Sequence, residues 1–251
     1  MPSKNTLKFI KSLQQKKFRR QENSFFVEGT KNVTELLRSD YKVTHLLYTE
    51  KFQKEQSEEL VRFGGEQFLV SPKVLESCGG FQSNDSALAV AQIKSNENPP
   101  YVHTEWVLAL DEVRDPGNLG TIIRIADWYG IQNLILSEGT ADFYNPKVLQ
   151  ASMGSFTRVK VFYTELAAYL KNFPGEIYGA FLGGESIHGL SLPSGGLLVM
   201  GSESHGISPH LEAYISKKIT IPRYGQAESL NVAVATAIIC DNLKRYNSQV
   251  L

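Results

Sequence analysis

Short apolar runs recur along this chain, and most are followed by a stretch in which apolar residues return every three or four positions. The runs FFVE (25–28), VTHLLYT (43–49), FLVS (68–71), SALAVAQI (86–93), WVLALDEV (106–113), NLILS (133–137), VKVFY (159–163), IYGAFLG (177–183), LLVMG (197–201) and KKITIP (217–222) have the length and residue types of strands. Strands alternating with helices predict an α/β fold whose sheet is largely parallel and covered on both faces. Helical patterns fall at residues 1–20, 50–63, 117–130 and about 230–246. In the first of these, Leu7, Ile10, Leu13 and Phe18 predict one helix with a buried edge and a basic outer face. Ser71 and Pro72 read as a helix N-cap followed by proline at the first helical position.

The polar stretch KSNENPPY (94–101), with two prolines, reads as a linker. Two domains follow from it: a small α/β unit over residues 1–98 and a larger α/β domain over residues 99–251, a division that suits a chain of 251 residues.

Lys and Arg total 26 against 26 Asp and Glu, and a zero net charge argues at face value against bulk electrostatic grip on nucleic acid. The distribution reverses that impression. Residues 1–20 hold seven basic residues and no acid, among them Lys16, Lys17, Arg19 and Arg20. Residues 1–100 carry 15 basic and 12 acidic residues (+3), and residues 101–251 carry 11 and 14 (−3). A basic head of this kind is either a solvated face or a phosphate-binding one.

Several classes fall away. The most apolar stretch, Val232 to Cys240, is nine residues, too short to span a bilayer, and the N-terminus lacks the apolar segment of a signal peptide. Cys78 and Cys240 have no metal-ligand spacing and read as reduced, packed thiols of a cytoplasmic protein, and no metal is expected. No phosphate-loop motif and no dinucleotide fingerprint occurs.

Three polar segments sit at the carboxyl ends of predicted strands, where open α/β sheets place their ligands. In DEVRDPGNLGTIIRIA (111–126), Asn118 is a candidate helix cap, and Arg124 leans back toward the loop, either into a site or into an ordinary ion pair with Asp127. LLVMGSESHGIS (197–208) carries Glu203 in a glycine turn. In ITIPRYGQAESLNVAVATAIIC (219–240), Ser229 is a candidate cap for the last helix and Asn231 opens it. Eight of the 20 glycines lie between residues 179 and 206, which predicts close backbone approach to a ligand.

In this order and spacing the three segments resemble the motifs of the SpoU/TrmH family of RNA ribose 2′-O-methyltransferases, within the knotted SPOUT class, over residues 106–246. RRQENSFFVEGTKNVTELL near the N-terminus resembles the family's accessory substrate-binding domain, a ribosomal-protein-like α/β module. The resemblance implies a deep trefoil knot, S-adenosylmethionine held around Leu182, Gly183, Gly184, Gly201, Ile221 and Leu230, and a homodimer. It also implies that Arg124, Asn118, Glu203, Ser229 and Asn231 form the catalytic pocket. The substrate it implies is structured RNA, ribosomal or transfer, with Lys16, Lys17, Arg19 and Arg20 as candidate RNA contacts. The family commonly has glycine after the glutamate of the second motif, and Ser204 stands there. A catalytically inactive RNA-binding relic and a small-molecule enzyme are the competing readings.

Overall fold

The structure is a computed structural model that describes residues 1–248. In chain order its elements are α1 (Lys4–Ser12), α2 (Lys16–Gln21), β1 (Ser24–Glu28), α3 (Thr30–Leu37), β2 (Val43–Tyr48), α4 (Glu50–Glu55), α5 (Ser57–Arg62), β3 (Glu66–Leu69), α6 (Pro72–Cys78) and β4 (Ala87–Gln92). They continue as β5 (Trp106–Leu110), α7 (Pro116–Trp128), β6 (Asn133–Ser137), α8 (Pro146–Ser152), β7 (Lys160–Thr164), α9 (Leu166–Lys171), β8 (Ile177–Ser186), β9 (Gly196–Met200), β10 (Lys217–Thr220) and α10 (Val232–Ser248), with 3-10 turns at Ser155–Thr157 and Pro209–Tyr214. The chain divides into two compact units: Met1–Ser95 with Asp142–Thr157, and Asn96–Ala141 with Arg158–Leu251. Among the described residues no helix is long and apolar enough to cross a membrane.

The first unit is built on a four-stranded sheet in the order β1-β4-β2-β3, antiparallel except for the parallel pair β2 and β3. Two helical segments differ from the sequence expectation. The basic head is two helices, because the chain turns at residues 13–15 and drives Leu13, like Ile10, into the core. The segment after β2 breaks at Gln56, whose φ of −130° and ψ of 37° lie outside the helical region.

Arg19 corrects a second expectation. It is 2% exposed, and its Nη1 donates to the carbonyls of Leu13 and Gln14 at 2.9 Å each, filling acceptors that the end of α1 leaves open. Its Nη2 pairs with the Asp142 carboxylate. A guanidinium committed in this way is part of the fold and leaves the set of candidate RNA contacts. Lys16, Lys17 and Arg20 are exposed. The segment 142–157 joins this unit through rings and amides: Tyr144 lies 4.7 Å and Phe156 6.2 Å from the Phe25 ring, and Asn32 donates to Gln150 at 3.0 Å.

The second unit holds a six-stranded sheet in the order β10-β8-β9-β5-β6-β7, with every neighbouring pair parallel. The central strands β5 and β9 are buried along their whole length, as strands covered on both faces must be. From β5 the chain moves outward through β6 and β7, whereas β9 lies on its other side, so the strand order reverses between β5 and β9. Loops leaving the carboxyl ends of two such strands diverge around a crevice. Both cysteines are free and buried, and burial pushes their thiols up to about 11 for Cys78 and about 12 for Cys240. They are inert packing groups at neutral pH.

Candidate active site

Three loops leave the carboxyl ends of β5, β9 and β10, and each supplies one residue to a single hydrogen-bonded chain. The Asn231 Oδ1 accepts from the backbone N–H groups of Ala233 (2.9 Å) and Val234 (3.3 Å) at the start of α10. Asn231 is therefore the cap of that helix, and Ser229, the residue expected to cap it, lies two residues earlier and exposed. With its oxygen occupied, Asn231 turns its Nδ2 to the Asn118 Oδ1 at 2.9 Å, and the Asn118 Nδ2 then donates to the Glu203 carboxylate. The polarity is fixed at both ends, since the helix amides only donate and a carboxylate only accepts.

Asn118 is available for this chain because it is not the cap of α7. Asp115 is: its Oδ1 accepts from the Asn118 N–H at 2.8 Å, and Pro116 begins the helix. The Asn118 side chain is thus released from local duty.

Arg124 lies on α7 and is exposed, with no hydrogen bond or ion pair among the described residues. The ordinary partner available to it, Asp127, is taken by Arg158, whose Nε lies 3.0 Å from both carboxylate oxygens and whose Nη2 lies 2.8 Å from one. An unpaired exposed cation on the helix that carries Asn118 is free to meet a phosphate.

The Glu203 turn accommodates Ser204. The residue in left-handed conformation is Gly206, at φ +67°, and Ser204 is not among the non-glycine residues with positive φ. The turn is closed by reciprocal backbone bonds between Ser202 and Gly206 at 3.0 and 2.9 Å, and the Ser204 hydroxyl bonds His205 Nδ1 at 2.8 Å. Serine replaces glycine here at no backbone cost.

The segments around residues 182–184 and 219–221 lie side by side at the β8–β10 edge of the sheet. Thr220 donates to the Leu182 carbonyl at 3.2 Å, and β8 and β10 pair in parallel with a register shift between Lys218 and Ile219. Leu182 is 81% exposed, and Leu230, in the following loop, is exposed as well. Exposed apolar side chains of this kind fit the flat, largely apolar base of a nucleoside cofactor. The glycines divide by role. A Cβ at Gly184 would lie 2.6 Å from the Lys218 carbonyl oxygen and one at Gly201 would lie 2.0 Å from the Gly206 carbonyl carbon, so both serve the close passage of the chain past itself. A Cβ at Gly183 would meet nothing within 4 Å.

The description of the SpoU rRNA methylase family matches residues 105–241, more than half of the chain. The chain belongs to the SpoU rRNA methylase family. Residues 4–89 match the MRM3-like substrate binding domain. The 23S rRNA (guanosine(2553)-2′-O)-methyltransferase RlmP of Bacillus subtilis is 32% identical over 238 residues, covering 93% of this chain and 94% of that protein. A solved structure of a TrmH-family protein from Porphyromonas gingivalis superposes with a TM-score of 0.85 at 37% identity, covering 98% of this chain and 99% of that one. The AdoMet-bound rRNA methyltransferase of Sinorhizobium meliloti gives a TM-score of 0.82 at 30% identity, covering 98% and 97%.

In this SpoU chain one organising residue escaped the sequence reading. Asp111 is buried at the end of β5, and its Oδ2 accepts from the Ser208 N–H at 2.7 Å, tying the base of the Glu203 loop to the base of the Asn118 loop. The available signal was a carboxylate directly after five apolar residues, a position where a charge persists only if it is paired.

Proposed function

We propose that this chain methylates a ribose 2′-hydroxyl of ribosomal RNA, with S-adenosylmethionine as donor. The observation that carries the reading is the Asn231–Asn118–Glu203 chain, which unites all three polar loops on the helix that also carries the unpaired Arg124. The family membership and the activity of the Bacillus subtilis relative support it.

The cofactor, when bound, supplies an electrophilic sulfonium methyl. Leu182 and Leu230 would cover its base, while Ile221 and the backbone at Gly183, Gly184 and Gly201 would line its edge. The chain's remaining tasks are to hold the ribose in line, to lower the cost of negative charge on the 2′-oxygen and to let its proton leave. Arg124 acts by holding the target phosphate through its planar guanidinium and stabilising the developing alkoxide, with a phosphate oxygen taking the proton. Asn118, Glu203, Asn231 and Ser229 shape the pocket around it. The passage of these loops through one another as a trefoil knot belongs to the same reading.

Residues 1–98 act in this scheme as the RNA-binding domain and residues 99–251 as the methyltransferase domain, working where ribosomal RNA is found in the cytoplasm. Lys16, Lys17 and Arg20 contribute phosphate contacts. Replacing all three by alanine is expected to weaken RNA binding and to lower the slope of log affinity against log salt by about one per lost contact. Filter binding across a salt series reads this, and an unchanged slope would make the head a solvated face.

The active form is a homodimer. Trp128 is 83% exposed on α7, and Val234 is exposed on α10, which packs against α7. Exposed apolar side chains on two adjoining helices suit a subunit interface. Trp128→Glu is expected to halve the native mass in light scattering, and a mass that stays at the wild-type value removes this face from the interface.

The experiment for the activity is to map ribose methylation in RNA from cells lacking the gene. Loss of one site in ribosomal RNA, restored by the purified protein with S-adenosylmethionine, supports the reading, and loss of a site in transfer RNA redirects it. Calorimetry addresses the inactive relic: that reading requires no cofactor binding at millimolar concentration.

A further inference from the structure

The loop between β10 and α10 carries more than the residues already placed. Every side chain from Arg223 to Asn231 is exposed. Tyr224 within it is 90% exposed and is the one exposed tyrosine among the described residues. A Cβ at the neighbouring Gly225 would meet nothing within 4 Å, so nothing crowds that side of the loop. The same loop ends on Asn231, the residue that joins Asn118 and Glu203.

A ribose reaches a protein pocket most readily when its nucleotide lies in a single-stranded loop or bulge, and the base splayed out in the process stacks on an aromatic side chain. The loops over residues 111–118 and 201–208 contain no Phe, Tyr or Trp, and Tyr224 is the one such ring in residues 219–231. Trp128 is exposed as well, but it lies ten residues beyond Asn118 along α7, roughly 15 Å away. The preceding residue, Arg223, adds a cation to the same loop, its Nη1 donating to the Ala227 carbonyl at 3.4 Å.

We infer that Tyr224 is the stacking platform for the base of the nucleotide whose ribose is methylated. This rests on the proposed methyltransferase reading and assigns to that site the residue that favours an unpaired nucleotide.

The test measures methyl transfer to total RNA from cells lacking the gene, using wild type, Tyr224→Ala and Tyr224→Phe. Tyr224→Ala is expected to raise the RNA KM by about 5- to 150-fold, the range that base-ring stacking supports. Tyr224→Phe, which keeps the ring, is expected to behave as wild type, with kcat at saturating RNA, cofactor affinity by calorimetry and native mass unchanged in both variants. An unchanged KM in Tyr224→Ala overturns the inference. So does an equal loss in Tyr224→Phe, which would assign the effect to the hydroxyl, or a fall in native mass, which would make the ring a protein contact. A wild-type protein that transfers no methyl group to this RNA overturns the functional reading, and the stacking role falls with it.

Discussion

Arg124→Ala is expected to lower kcat for methyl transfer roughly 10²- to 10³-fold, the loss seen when one preorganised group facing developing charge is removed. Its cofactor affinity and melting temperature should stay at the wild-type values, because Arg124 is exposed and has no partner among the described residues whose loss could disturb the fold. Arg124→Lys keeps the charge but not the planar fork that grips a phosphate through two oxygens, and it should recover only part of the rate. Single-turnover transfer with calorimetry alongside separates these quantities. Full turnover in the alanine variant would remove Arg124 from the reaction altogether.

A comparably large effect is expected from Gly201→Ala, by a different route. The added methyl would stand 2.0 Å from the Gly206 carbonyl carbon and 2.2 Å from both its oxygen and the Ile207 nitrogen, all of them backbone atoms without a rotamer to yield. The turn that presents Glu203 must open, and the bond to Asn118 goes with it. The overpacking should cost about 3 kcal/mol, or about 6–12 °C in melting temperature for a chain of this size. Gly183→Ala is the control, since its methyl enters open space. Its stability should be unchanged within about 0.5 kcal/mol, while the cofactor contact proposed for this backbone predicts a loss of cofactor affinity. Equal melting curves for Gly201→Ala and wild type would mean that the turn relaxes freely, and unaltered affinity in Gly183→Ala would take that glycine out of the cofactor site.

Much of this was legible in the sequence, and the exceptions share a cause. Parallel α/β architecture follows from buried strands such as WVLAL and LLVM, whose apolar residues need neighbours on both faces. The site loops were legible because Asn118, Glu203 and Asn231 follow strand ends. The helix caps were not: Asp115 and Asn118, or Ser229 and Asn231, have nearly equal capping preference, and the choice falls to tertiary bonds such as that between Asn231 and Asn118. Arg19 looked like its neighbours Lys17 and Arg20, and only Asp142, more than a hundred residues on, marks it as structural. The attachment of residues 142–157 to the first unit depends on similarly remote partners, Phe25 and Asn32.

The bonds that join Asn231, Asn118 and Glu203 also bear on when the protein becomes competent. They connect positions 113 and 85 residues apart, and they start from amides at residues 233 and 234. During vectorial synthesis the Asn118 loop emerges long before the other two, which follow within about thirty residues of each other. In a nascent chain that stops short of α10, Asn118 lacks the donor that orients its amide toward Glu203. The three-loop hydrogen-bonded chain is therefore completed only in one late step, when the start of α10 is in place.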